Sequence, residues 1–196
     1  MDISISPVLY ASNQTVVDES LILMRQRFSE EPNYSLFSSV CDNKLSGCTM
    51  VMNKELREEI LKNSFSEYEG TLKRRLHDTW CVIVANIKGI IIYDDEGRIL
   101  YRQHTQNVVG ANDNLGLIER SRSKIKKIFN KEKRNGRSRT SIAIMKCFPY
   151  VEDSRIKLLA DCRSIKGKIR LLKNYNLFSE TYNKINFLIY VVFGFI

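Results

Sequence analysis

The chain has 196 residues, of which 43% are hydrophobic and 27% are charged, and it contains only 3 Pro and 9 Gly. This composition excludes a disordered or collagen-like chain and is typical of a single globular domain, here spanning residues 1–196. The formal net charge of +9 is divided unequally: residues 1–98 carry a net −4 (11 Lys and Arg, 15 Asp and Glu) and residues 99–196 a net +13 (20 and 7).

The first segments of the acidic half have mixed patterns. Residues 3–10 alternate weakly and contain a proline, which predicts an edge strand or an extended arm. Apolar residues with a 4-3-4 spacing over residues 17–28 predict a helix. We expect a short strand at residues 34–40 and a loop at residues 43–47.

Two helices are predicted next. Asn53 precedes an amphipathic segment that contains Leu56, and an asparagine in this position caps a helix by accepting a bond from a free backbone N–H. Residues 66–76 begin with a Ser-x-x-Glu capping box, which predicts a second helix.

The centre of the sequence has the composition of strands. Residues 80–84 and 89–93 are β-branched and aromatic runs, and residues 98–103 form a third. The acidic residues 94–97 between the second and third runs are typical of a tight turn that ends in Gly97. We therefore predict a three-stranded antiparallel meander over about residues 80–104.

The basic half is predicted to be mainly helical. Residues 107–116 are rich in Asn and Gly and indicate a loop, and residues 118–129 place Ile and Phe on one helical face. Residues 140–148 predict a strand that ends before Pro149. A buried helical stripe with 4-3-4-3 spacing follows, and its members are Leu158, Cys162, Ile165, Ile169 and Leu172.

The last ten residues, 187–196, contain no charged side chain. Their aromatic and β-branched content favours a central strand that is buried on both faces. The same residues also suit an anchor in a membrane interface or in a partner protein.

The segment 120–139 points most directly to a function. It holds ten basic residues and one acid, a net charge of +9. Cations at this density neutralise consecutive phosphates and release counterions, and like charges at helical spacing are unfavourable on an idle face. A second predicted basic helix, which carries the cations of residues 163–173, would contribute a second row of phosphate-binding side chains. The candidate phosphate-binding residues are Arg120, Arg122, Lys124, Lys126, Lys127, Lys131, Lys133, Arg134, Arg137, Arg139, Arg163, Lys166, Lys168 and Arg170.

Few residues suggest catalysis. The sequence lacks the motifs of α/β-hydrolases, P-loop proteins, dinucleotide-binding proteins and zinc proteases. Asp94, Asp95 and Glu96, beside His77 and Asp78, are the residues that would ligate Mg²⁺ in a nuclease. The five cysteines form no CxxC pair, so we expect reduced, buried thiols and predict no metal and no cofactor.

Together these patterns predict an α+β domain in which a central antiparallel meander packs against amphipathic helices from both termini. Our first hypothesis is a non-enzymatic protein that binds nucleic acid, with RNA or single strands preferred. The alternative is a peripheral membrane or matrix-type protein that uses its basic helices and its apolar tail. The second alternative is a metal-dependent nuclease.

The sequence also bears on location. It has no secretory signal and no apolar run of about 18 residues, so we expect a protein of the cytoplasm or the nucleus without a transmembrane helix. Frequent Ile and Asn with few Pro fit a small viral accessory protein.

Overall fold

A computed structural model describes residues 6–63, 77–103 and 136–194. In chain order, the elements of these ranges are β1 (Val8–Val17), β2 (Leu23–Gln26), α1 (Leu36–Asp42), a 3₁₀ turn (Gly47–Thr49), β3 (Met50–Met52), α2 (Lys54–Lys62), α3 (His77–Lys88), β4 (Ile90–Arg102), α4 (Gly136–Cys147), α5 (Ser154–Asp161), α6 (Ile165–Lys173), a second 3₁₀ turn (Tyr175–Phe178) and α7 (Lys184–Phe193). The predicted α+β class is confirmed. The elements predicted at 66–76, 107–116 and 118–129 lie outside the described residues.

Strand β1 is the centre of the four-stranded sheet. It pairs antiparallel with β3 at residues 9–11 and with β2 at residues 15–17, and it pairs parallel with β4 along its whole length. Leu9 and Ala11 are fully buried members of the main hydrophobic cluster. The predicted edge strand or arm at residues 3–10 is therefore wrong where it is described, because β1 begins at Val8 and is the central strand.

The predicted meander is wrong at its first strand. Residues 80–84 belong to α3 and are all buried. A helix that is buried on every side shows an unbroken apolar run, and over five residues such a run cannot be distinguished from a buried strand.

The predicted turn at residues 94–97 is also wrong, although the strands on both sides of it are confirmed as parts of β4. The register shifts there, because Ser12 pairs with Asp94 whereas Asn13 pairs with Gly97. The chain therefore forms a bulge in one continuous strand and does not reverse its direction.

Three further predictions are wrong in the type of element. Residues 17–28 form the end of β1, a turn and β2 in place of a helix, residues 34–40 lead into and form most of α1, and residues 140–147 lie in α4. Helix α1 buries Phe37, Val40 and Cys41, which is the i, i+3, i+4 spacing of one helical face.

The predicted stripe over residues 158–172 is divided between two helices. Helix α5 ends at Asp161, and the Ser164 side chain caps α6 by accepting a bond of 2.9 Å from the Gly167 N–H. Gly167 lies against the Asp161 carbonyl oxygen, where a Cβ atom would overlap. The break removes Ile165 and Ile169 from the buried stripe, and they are 80% and 49% exposed.

The favoured strand at residues 187–196 is wrong, because residues 184–193 form α7. Asn183 caps the start of this helix, and Gly194 ends it with a φ of 75°, which favours glycine. Phe187 and Val191 are buried, so only one face of α7 enters the core.

The predicted cap at Asn53 is confirmed, and the same side chain also ties α2 to the sheet. Its Oδ1 accepts bonds from the Leu56 N–H at 3.0 Å and from the Val8 N–H at 2.9 Å, and its Nδ2 donates to the Ser6 carbonyl at 2.7 Å.

We expect Asn53→Ala to lower the free energy of unfolding by about 2 kcal/mol, because it removes a helix cap and two long-range bonds. Asn183→Ala is the matched control, since Asn183 caps α7 through one bond to the Asn186 N–H, and it is expected to cost about 1 kcal/mol. Urea denaturation measures both values. Equal losses in the two variants would show that the bonds to Ser6 and Val8 add no stability.

Candidate functional site

The structure describes only part of the predicted phosphate-binding set. Eight of its fourteen residues lie outside the described ranges, namely Arg120, Arg122, Lys124, Lys126, Lys127, Lys131, Lys133 and Arg134. The six described residues are Arg137, Arg139, Arg163, Lys166, Lys168 and Arg170.

Arg137 joins three parts of the fold. Its Nε donates to the Cys41 carbonyl at 2.9 Å, and its guanidinium lies 5.6 Å and 5.7 Å from the ring centres of Tyr182 and Tyr190. Burial raises the pKa of Tyr182 although the Arg137 charge acts in the opposite direction. Arg137 therefore connects α4 to α1 and α7, which is a structural role.

Two other candidate cations are also engaged. The Lys168 ammonium donates to the Val192 carbonyl at 3.0 Å, in the last turn of α7, and Arg170 forms an ion pair of 2.5 Å with Asp161. Arg139 is half-buried, whereas Arg163 and Lys166 are exposed. Within the described ranges, neither Arg163 nor Lys166 forms an ion pair.

An exposed apolar surface lies beside these cations. On α6 it consists of Ile165 and Ile169. On α7 it includes Ile185 (73% exposed), Leu188 (49%) and Val192 (55%), whose i, i+3, i+7 spacing places them on one side of the helix. Contiguous exposed apolar patches on globular domains are candidate sites of interaction.

Basic residues border this apolar surface. Lys166 and Lys173 are exposed on α6, and the exposed Lys184 lies one turn before Leu188 on α7. The bond between Lys168 and Val192 holds the two helices together. We define the α6–α7 face as the apolar residues Ile165, Ile169, Ile185, Leu188 and Val192 with the rim Lys166, Lys173 and Lys184.

The sequence patterns predicted only part of this face. Ile165 and Ile169 were assigned to a buried stripe, and residues 187–196 were favoured as a strand, with a membrane or partner anchor as the alternative. The Ser164 cap with Gly167 three residues later is the signal that could have placed a helix start at Ile165.

The acidic residues of the nuclease hypothesis are divided between strand β4, which contains Asp94, Asp95 and Glu96, and the first turn of α3, which contains Asp78. The Asp94 carboxylate accepts bonds from the Tyr10 hydroxyl at 2.7 Å and from the Arg98 Nε at 2.8 Å, and these two groups lower the pKa of Asp94 to about 2. Asp78 is buried, and it accepts a bond from the Thr79 N–H. Among residues 6–63, 77–103 and 136–194, no group of three or more His, Cys, Asp or Glu side chains is arranged to hold a metal ion.

The prediction of buried thiols is confirmed for Cys41, Cys81 and Cys162, whereas Cys147 is half-buried and Cys48 is exposed. Burial raises the pKa of the Cys81 and Cys162 thiols, which therefore stay protonated at neutral pH.

Comparisons of the chain with protein-family models, with curated proteins and with solved structures found no match. No helix in the described part of the chain is long and apolar enough to cross a membrane.

We expect Arg137→Gln to lower the free energy of unfolding by about 2 kcal/mol, because it removes a charged hydrogen bond and two cation–π contacts. Arg163→Gln, at an exposed position, is the control and should change stability by less than about 0.5 kcal/mol. Urea denaturation followed by circular dichroism measures the difference. If the two variants are equally stable, Arg137 has no structural role.

Proposed function

We propose that this protein binds anionic membrane surfaces peripherally through the α6–α7 face. The observation that supports the proposal is the combination of exposed apolar side chains and flanking lysines on two packed helices. Helices that lie in a membrane interface have this arrangement, because their apolar side chains enter the boundary of the acyl chains while their cations meet acidic headgroups.

The dimensions of the helices favour attachment to the surface. Helix α7 has 10 residues, which corresponds to about 15 Å at 1.5 Å per residue, or roughly half of the hydrocarbon core. Ile185, Leu188 and Val192 are exposed on one side of the helix, whereas Phe187 and Val191 are buried in the protein on the other. We therefore expect α7 to lie parallel to the membrane plane.

The charges add selectivity for acidic lipids. Each Lys or Arg near an anionic leaflet contributes about 1 kcal/mol, and the contribution falls within a Debye length. Lys166, Lys173 and Lys184 form no ion pair with another described residue, so their charge is available to headgroups. Binding should therefore require both the apolar residues and the rim.

We expect the face variant, Ile185→Gln with Val192→Gln, to bind vesicles of phosphatidylcholine and phosphatidylserine about tenfold more weakly than the wild type, because two apolar side chains no longer leave water. The sheet variant, Val51→Gln with Leu100→Gln, is the matched control, since these residues are similarly exposed (64% and 59%) on the sheet. Vesicle flotation measures the binding.

Two results would contradict the proposal. One is equal binding of the face variant and the sheet variant. The other is equal binding of the wild type to vesicles with and without phosphatidylserine, since that result would leave the lysine rim without a role.

Nucleic-acid binding is a second candidate function, and the eight Lys and Arg residues of the segment 120–134 favour it. Arg163 and Lys166, which are exposed at the start of α6, would then add phosphate contacts. The two candidates differ in their dependence on the apolar residues, because phosphate contacts need cations alone.

For this second candidate we expect the affinity for single-stranded RNA to fall with salt with a log–log slope of about −4 or steeper. Arg163→Gln with Lys166→Gln should reduce the slope by about 1.4, which corresponds to two lost phosphate contacts on a single strand. The face variant should bind RNA like the wild type. A slope near zero would exclude phosphate binding by several cations.

A further inference from the structure

An open cleft lies between the loop that precedes α1 and helix α3. Its volume is about 470 Å³, which is within the range of small-molecule sites. The lining residues are Glu31, Pro32, Asn33, Tyr34, Ser35 and Asn86. We call it the Glu31–Asn86 cleft. None of its lining residues belongs to the α6–α7 face, so the cleft is separate from the proposed membrane site.

Glu31 gives the cleft a negative charge. Its Oε1 accepts a bond of 2.6 Å from the Tyr34 hydroxyl. This bond is the main reason that the pKa of Tyr34 is raised to about 12, so Tyr34 keeps its proton and remains the donor at neutral pH. The second carboxylate oxygen, Oε2, accepts no bond from a described residue and is available to a ligand.

Asn86 adds a second acceptor. Its Nδ2 donates to the Tyr34 carbonyl at 2.8 Å and to the Val82 carbonyl at 2.9 Å. Both partners are acceptors, so the orientation of the amide is fixed and both of its N–H groups are used. The Asn86 Oδ1 is therefore the part of this side chain that remains for a ligand, and no donor in the described ranges bonds to it.

No cation of residues 6–63, 77–103 or 136–194 forms an ion pair with Glu31. Arg27 lies close enough for its charge to oppose the rise in the pKa of Tyr93 that burial causes. Its guanidinium, however, donates to the Gln14 Oε1 at 2.5 Å and to the Ser46 hydroxyl. The charge of Arg27 is thus directed to groups that do not line the cleft.

Lys88 follows Asn86 on α3 and is also engaged elsewhere. Its ammonium is 3.6 Å from the Glu59 carboxylate and lies over the Tyr150 ring, 5.2 Å from the ring centre. Neither Glu59 nor Tyr150 lines the cleft. The cleft therefore presents a carboxylate oxygen and an amide oxygen without a matching donor from the described residues.

We infer that the Glu31–Asn86 cleft binds the primary ammonium group of a small alkylamine. An ammonium has three N–H donors and no acceptor, which complements a lining of acceptors, and its bond to Glu31 is charge-assisted. Pro32 and the Tyr34 ring offer apolar surface to the alkyl chain, and the face of a tyrosine ring also attracts a cation. An anionic ligand would be repelled by Glu31.

Titration with n-butylammonium chloride tests this inference, at neutral pH and with the ionic strength held constant by NaCl. Nuclear magnetic resonance should show a saturable shift of the Asn86 side-chain amide signals. n-Butanol has the same alkyl chain without the charge, and tetramethylammonium has the charge without an N–H donor. Both analogues should bind about tenfold more weakly than butylammonium, because neither can donate a charged hydrogen bond.

Two matched variants test the role of the carboxylate. Glu31→Gln should weaken butylammonium binding about tenfold, because it keeps the shape of the side chain and removes the charge. Glu30→Gln is the control, since it removes the same charge from the adjacent exposed side chain, which does not line the cleft. Its affinity should differ from that of the wild type by less than about twofold.

Three results would overturn the inference: no saturable shift with butylammonium, equal binding of butylammonium and either analogue, or equal binding by the Glu31→Gln and Glu30→Gln variants. Circular dichroism must show that both variants are folded. The comparison of the three ligands uses the wild type alone, so it decides the inference even if a variant does not fold.

Vesicle binding separates this inference from the proposed function. The face variant should bind butylammonium like the wild type, and Glu31→Gln should bind anionic vesicles like the wild type, because the two sites share no residue. If no amine binds, the vesicle measurements still decide the proposed function. If no vesicle binds, the titration still decides the Glu31–Asn86 cleft.

Discussion

The parallel pairing of β1 with β4 is the constraint on which the described fold depends. Parallel neighbours cannot be joined by a tight turn, so the chain between them must cross over the sheet. Helices α1, α2 and α3 belong to this crossover, and they bury their apolar residues with Leu9 and Ala11. Because α3 packs against α1, α2 and the sheet, residues 80–84 are apolar on all sides.

The cations on helices α4 and α6 have two different roles. Arg137 places its charge between two tyrosine rings and against a backbone carbonyl, where it connects helices, and Lys168 satisfies a carbonyl at the end of α7. Lys166 and Lys173 instead point their charge toward solvent beside exposed isoleucines. The net charge of the sequence does not distinguish these two roles, because it counts an arginine that connects helices and a lysine that faces solvent equally.

The α6–α7 face raises a physical problem, since it keeps large apolar side chains in water. The proposed attachment to a lipid surface would remove these side chains from water. An acidic membrane would also offer the lysine rim an anionic field.

The sequence by itself determined the α+β class, the unequal division of charge, the Asn53 cap and the strands on either side of residues 94–97. These features depend on composition or on contacts between near neighbours in the chain. Tertiary structure alone decided that residues 80–84 and 187–193 are helical and that Ile165 and Ile169 face solvent. Short apolar runs satisfy both the helical and the strand period, and only packing against distant segments selects one of them. The α6 part of the candidate face escaped prediction for the same reason, because exposure is a property of the assembled fold and not of the local pattern.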